Sequence, residues 1–145
     1  MLVAFRIQNF RSIGQSVELS LLPFERQTDR PENILTSPAG QKALNMAAIY
    51  GANAAGKSNV VQAIGQMKFM VLHSFKFDSE ALLPWQPFLL DTHLRDAPTE
   101  YEVHFQKGEY RYRYGFSHTA RQIETEWLYR KSLRGREVEL FTRDK

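Results

Sequence analysis

Apolar and polar positions fall into two repeating patterns along this chain, and each pattern predicts a different kind of element. Leu2 to Ile7 reads L-V-A-F-R-I, which suits a short strand. Asn9 to Gly14 supplies turn residues, and Ser16 to Leu22 then alternates around Val17, Leu19 and Leu21, predicting a second strand. Strands this close in sequence are most simply an antiparallel pair, over residues 1–22. Pro23 to Lys42 is polar and carries Pro31, Pro38 and Gly40, so it reads as an exposed loop without regular structure.

Leu44 to Tyr50, L-N-M-A-A-I-Y, is a short apolar run that predicts a buried strand. It leads into Gly51-Ala52-Asn53-Ala54-Ala55-Gly56-Lys57-Ser58. From Asn59 to Phe75, Val60, Val61, Ile64, Met67, Phe69, Met70, Val71 and Leu72 recur at helical spacing, which predicts a helix with a broad apolar face. Residues 44–75 thus read as strand, loop and helix. Phe77 to Pro98 breaks the pattern with Pro84, Pro87 and Pro98. The remainder, 101–142, reads as an antiparallel β-subdomain. Tyr101–Gln106 and Tyr110–Phe116 alternate around a Gly108-Glu109 turn, and Ile123–Arg130 and Val138–Thr142 flank a basic turn at Lys131–Arg136. In Tyr110-Arg111-Tyr112-Arg113-Tyr114 the tyrosines share one strand face and the arginines the other, so the simpler reading is Tyr inward and Arg outward.

Composition narrows the class. The chain has 145 residues, 43% hydrophobic and 24% charged, which fits one globular domain or part of one. It contains no cysteine, which excludes a disulfide framework, a thiol nucleophile and a cysteinyl metal site. No run approaches the roughly 18 apolar residues of a membrane span, so no membrane association is expected. The N-terminus makes a poor signal peptide, which points to the cytoplasm. The net charge of +3 is uneven: residues 1–106 carry −1 and residues 107–145 carry +4. A basic surface of that size favours an anionic partner or is an ordinary solvated strand face.

The most specific signal is Gly51-x-x-x-x-Gly56-Lys57-Ser58, a full P-loop match placed between a predicted strand and a predicted helix. The glycines allow close backbone approach, loop N–H groups can face phosphate oxygens, and the helix adds its positive end. In this chemistry Lys57 reaches the β- and γ-phosphates and the Ser58 hydroxyl ligates Mg²⁺, so ATP and Mg²⁺ are the expected ligands.

G-A-N-A-A-G-K-S-N, with Asn53 in the loop and Asn59 after the serine, resembles the RecF, SMC and OLD-type branch of ABC-class ATPases. The opening L-V-A-F-R-I-Q-N-F-R-S resembles that branch's first strand and its N-F-[RK]-[NS] turn. The tail I-E-T-E-W-L-Y-R…L-F-T-R-D resembles OLD-like bacterial AAA-type ATPases of anti-phage defence loci. The resemblance implies an α/β P-loop NTPase fold, the first lobe of an ABC/SMC-type head with an antiparallel β-subdomain. It implies a nucleotide site over Gly51, Ala52, Asn53, Ala54, Ala55, Gly56, Lys57, Ser58 and Asn59. Asn53 would approach the γ-phosphate or the attacking water, and Arg11 would approach the nucleotide or line the head. Tyr50 reads as a packing residue rather than an adenine stacker. The resemblance further implies a homodimer or oligomer through complete heads, and keeps a nuclease partner and nucleic acid open.

A hydrolytic site also needs a second carboxylate on Mg²⁺ and a group that orients water. No apolar run ending in Asp-Glu is found. The nearest, Phe75-Lys76-Phe77-Asp78-Ser79-Glu80, is charged in its middle, and no L-S-G-G-type signature occurs. His73, His93, His104 and His118 read as surface or strand histidines, and neither Gln86 nor Gln106 can be assigned to a Q-loop. The expectation is therefore an N-terminal portion of a longer ATPase, or one half of a split enzyme, unable to complete an ATP-bridged dimer by itself. The alternative is a non-catalytic interaction module with a vestigial or structural phosphate loop.

Overall fold

The computed structural model describes residues 1–24, 30–53, 55–77 and 81–145. Its elements, in chain order, are β1 (Leu2–Gln8), β2 (Val17–Ser20), β3 (Ile34–Thr36), β4 (Lys42–Leu44), α1 (Lys57–His73), β5 (Thr99–Lys107), β6 (Tyr110–His118), β7 (Ile123–Ser132) and β8 (Glu137–Asp144). Six strands form one antiparallel sheet in the order β2-β1-β5-β6-β7-β8, and β3 and β4 form a separate hairpin.

Alternation gives the sheet two different faces. On one face Phe5, Ile7, Tyr101 and Phe116 meet Ala63, Met67 and Met70 of α1, and Phe10 and Ile13 close the end of this core. Tyr101 lies edge-on to Phe10 and packs against Phe116, so three segments share one aromatic cluster. Tyr114 packs against the same core, while Arg111 and Arg113 lie on the opposite face. Burying the Tyr101 hydroxyl without a partner among the described residues drives its pKa upward.

The opposite face is organised by Glu102, only 5% exposed. Its carboxylate accepts from Arg113 Nη1 at 3.0 Å, Trp127 Nε1 at 2.9 Å and Arg6 Nη1 at 3.5 Å, and pairs with His104 Nε2 at 2.9 Å. Burial alone would raise its pKa. The hydrogen bonds from His104, Arg113 and Trp127 outweigh that and hold it at about 2.

Two expectations are corrected. Within Pro23–Lys42, read as unstructured, Ile34–Thr36 pairs with Lys42–Leu44, and Gly40 N closes the turn onto Ser37 O at 2.8 Å. The run expected as a buried strand over Leu44–Tyr50 keeps ladder pairing only to Leu44. Asn45 N still donates to Asn33 O at 2.9 Å, but residues 46–50 follow no strand, and Met46 and Tyr50 are 70% and 89% exposed. A strand needs a neighbour to satisfy its backbone, and no described strand runs beside this segment. Tyr50 accordingly does not pack into a core, contrary to its expected role.

The helix starts at Lys57, directly after the loop, and ends in a 3₁₀ turn over Ser74–Lys76. Its apolar positions are too many for one sheet face to cover. Ala63, Met67 and Met70 are buried and Val60 and Ile64 partly so, while Val61, Phe69, Val71 and Leu72 remain exposed. No helix among the described residues is long and apolar enough to cross a membrane.

Candidate phosphate-binding site

Two segments far apart in sequence meet at the N-terminus of α1. One is the loop that begins at Gly51. The other is the turn after β1, Asn9-Phe10-Arg11-Ser12. This turn is held by reciprocal backbone bonds between Phe10 and Ile13, both 2.8 Å, and Asn9 and Arg11 both adopt positive φ, 54° and 52°. Asparagine tolerates that region better than most residues.

Each side chain of the turn serves a different neighbour. Asn9 is fully buried; its Nδ2 donates to Leu94 O at 2.8 Å and Ala97 O at 2.6 Å, and its Oδ1 accepts from Phe88 N at 2.8 Å. Thr99 Oγ1 donates to the Asn9 carbonyl at 2.6 Å. Asn9 thereby fastens residues 88–99 to the end of β1. Phe10 enters the core. Arg11 donates through Nε to Gln86 and through Nη1 to Gln62 of α1, and its backbone N donates to Gln86 O at 2.8 Å. Ser12 Oγ accepts from Asn59 Nδ2 at 2.7 Å.

Gly56 stands at the N-cap of α1 with φ +83°, a conformation that favours glycine. A Cβ there would lie 2.9 Å from Ser12 Oγ, so the close approach of turn and loop also requires a glycine. The first turn of α1 carries no acidic residue and no side-chain cap; Asn59 N donates to Gly56 O at 2.9 Å, while the N–H groups of Lys57 and Ser58 have no partner among the described residues and, with the helix's positive end, suit an anion. Lys57 folds back over the loop, its Nζ donating to Gly51 O at 2.7 Å and Ala52 O at 2.6 Å.

A pocket of about 500 Å³ results, lined by Ser12, Asn53 and residues 55–59. Its lining offers one ammonium, two hydroxyls and two carboxamides, with no carboxylate, a donor set suited to phosphate oxygens. Of the residues expected at the site, Asn53, Ala55, Gly56, Lys57, Ser58 and Asn59 line this pocket, and Gly51 and Ala52 hold the lysine. Ala54 lies outside the described residues, as do Asp78, Ser79 and Glu80 of the run considered for a second carboxylate. Arg11 is not in the lining; it braces the pocket's frame through Gln62 and Gln86. Ser12 is the residue the sequence reading passed over. Its signal was its place in the N-F-R-S turn, whose contact with the loop only the fold reveals. The histidines stand apart: His104 pairs with Glu102, and His118 is fully buried against Tyr101, its pKa lowered by burial.

A glycine-pinned loop opening a helix, with a lysine and a serine at its start, defines a P-loop nucleotide-binding domain of the α/β class. The model of the AAA_21 family, described as "AAA domain, putative AbiEii toxin, Type IV TA system", matches residues 46–145, and the chain belongs to this family of P-loop AAA-type ATPase domains. AAA-type P-loop domains generally bind ATP with Mg²⁺. No curated protein matches the chain.

Proposed function

We propose that this chain is the ATP-binding lobe of an ABC/SMC-type ATPase head, hydrolysing ATP when the head is complete and working in anti-phage defence or DNA processing. The observation that carries the reading is Lys57. Its ammonium is held by two loop carbonyls inside a carboxylate-free pocket, and phosphate oxygens are stronger partners for it than neutral carbonyls. The residues fit ATP·Mg²⁺: the start of α1, uncapped by any side chain, borders the same space, and Ser58 lines it. Lys57, Ser58 and the loop backbone would hold the triphosphate, and Ser58 would ligate the metal. Mg²⁺ would supply charge neutralisation on the phosphates. Asn59, tied to Ser12, would hold the loop against the N-terminal turn. The antiparallel sheet beside the P-loop helix supports the head-like reading, and the toxin wording of the family description supports the defence setting. In this reading heads pair around ATP, with a nuclease as a further partner.

The test is calorimetric titration of ATP·Mg²⁺ into the wild-type chain and into Lys57→Ala. Saturable binding weakened at least tenfold by the substitution is expected; equal affinity in both would overturn the reading. The exposed apolar run over residues 46–50 favours a second reading, a contact module whose loop no longer binds nucleotide. Absence of binding by the wild type selects it.

A further inference from the structure

We propose that the end of the sheet formed by the β5–β6 and β7–β8 turns binds the phosphodiester backbone of nucleic acid, at a surface separate from the P-loop. The register brings these turns together: Lys107 pairs with Tyr110, Tyr110 with Ser132, and Lys131 with Glu137. Lys107, Arg111, Arg130, Lys131, Arg134 and Arg136 therefore cluster at one end, against only Glu109 and Glu137. In the rest of residues 107–145 four cations and four acids cancel, so the whole excess of +4 sits at this end.

The cations here differ from those elsewhere on the sheet. Arg6, Arg113 and Arg143 are each paired with a carboxylate within 3.0 Å. Among the described residues none of the six clustered cations forms a salt bridge. Glu137, the acid facing Lys131, is already bound to Arg113 Nη2 at 2.7 Å. Arg111 leans on His104 Nδ1 at 3.3 Å and Arg130 lies over the Tyr110 ring at 4.6 Å, and neither contact is with a carboxylate. Unpaired cations at this density attract a polyanion over several ångströms.

The geometry favours nucleic acid over a lipid surface. Leu133 is the one exposed large apolar side chain of the β7–β8 turn, too little for insertion among acyl chains. Arg111 and Lys131 instead line a small recess of about 140 Å³ with Gln106, Glu109, Ser132 and Leu133, and the Arg130–Tyr110 pair offers a stacking surface on the opposite face of the same end. The Asn9–Ser12 turn lies at the other end of β1, where Gln8 faces Glu100, so the two anion sites occupy opposite ends of the sheet.

The proposal stands apart from the ATPase reading, and its test uses no nucleotide. A labelled duplex of about 20 base pairs and a single strand of similar length are titrated with the 145-residue chain by anisotropy across a salt series. Binding should weaken with salt. Arg134→Gln/Arg136→Gln, two exposed turn residues, should lower affinity at least tenfold and flatten the log–log salt slope by about 2. Lys57→Ala should leave it unchanged, and circular dichroism should show both variants folded. Failure to bind either nucleic acid at about 50 mM salt would overturn the proposal. So would a double variant indistinguishable from wild type, loss of binding in Lys57→Ala, or binding to phosphatidylserine vesicles in preference to nucleic acid.

Discussion

Trp127 occupies the space that a side chain at Gly115 would need. The two residues face each other across β6 and β7, and a Cβ built on Gly115 would lie 2.4 Å from Trp127 Cζ2 and 2.7 Å from the Tyr101 carbonyl oxygen. The missing side chain lets the indole reach across to the third strand, where its Nε1 donates to Glu102 at 2.9 Å. One glycine thus permits the contact that completes the coordination of a buried carboxylate.

Gly115→Ala should therefore destabilise the domain by more than its single methyl group suggests. Overpacking of this kind costs about 1–3 kcal/mol, and displacing Trp127 also removes a donor from Glu102. Urea denaturation should show the loss in the midpoint. Tryptophan emission should shift to the red as the indole leaves its site. A stable variant with unchanged emission would show that the tight contact relaxes without cost.

Glu102 gives a pH dependence whose sign is fixed. Its pKa is held at about 2, below the ordinary glutamate value of 4.5. The stability it contributes is therefore fully present above about pH 4.5 and is lost as pH falls towards 2. Glu102→Gln should cost about 3 kcal/mol near neutrality, because Arg113 and Trp127 lose the buried carboxylate they share and Arg113 keeps only the exposed Glu137. The gap between wild type and variant should narrow steadily between pH 4.5 and pH 2 in urea titrations. A gap independent of pH would assign the loss to packing instead of charge.

Strands β5 and β6 were legible in the sequence because their apolar and polar residues alternate strictly, and the fold puts Tyr101, Val103, Phe116 and Tyr114 all on the helix side. The loop chemistry was legible because Gly56, Lys57 and Ser58 are local signals. What was not legible depends on neighbours. Met46 to Tyr50 has strand composition, but a strand exists only where another strand pairs with it. The short hairpin of Ile34–Thr36 with Lys42–Leu44 hides in a polar stretch because three paired residues leave no periodicity to detect. Arg11 was singled out, yet Ser12 beside it lines the pocket, and adjacent residues of a turn cannot be told apart by spacing.

Asn9 should prove the most sensitive position of the N-terminal turn. Asn9→Ala would leave the Phe88 N–H and the Leu94 and Ala97 carbonyls without their partner and would place alanine at φ +54°. A buried orphan group costs about 1–3 kcal/mol, and the left-handed backbone about 1 more. The expected outcome is a loss of about 3 kcal/mol, with early hydrogen exchange at Phe88 and faster proteolysis across residues 83–98. Unchanged protection at Phe88 would show that contacts other than those of Asn9 hold this segment.

Ser12 and Asn59 should act on nucleotide affinity as one unit. The 2.7 Å bond between them is the direct polar link from the N-terminal turn to the first turn of α1, and Gly56 packs between the same two segments. Removing either partner frees the loop to sample other arrangements, and ordering it again on binding then costs affinity. Ser12→Ala and Asn59→Ala should each weaken ATP·Mg²⁺ binding several-fold. The double variant should be no weaker than either single, because the second substitution removes an interaction already lost. Gly56→Ala tests the same contact from the other side: its Cβ meets Ser12 Oγ at 2.9 Å and its φ of +83° is strained for alanine. Combining Gly56→Ala with Ser12→Ala should therefore restore part of the lost affinity, since alanine at 12 removes the clashing oxygen. Strictly additive losses across this set of variants would show that turn and loop touch without being coupled.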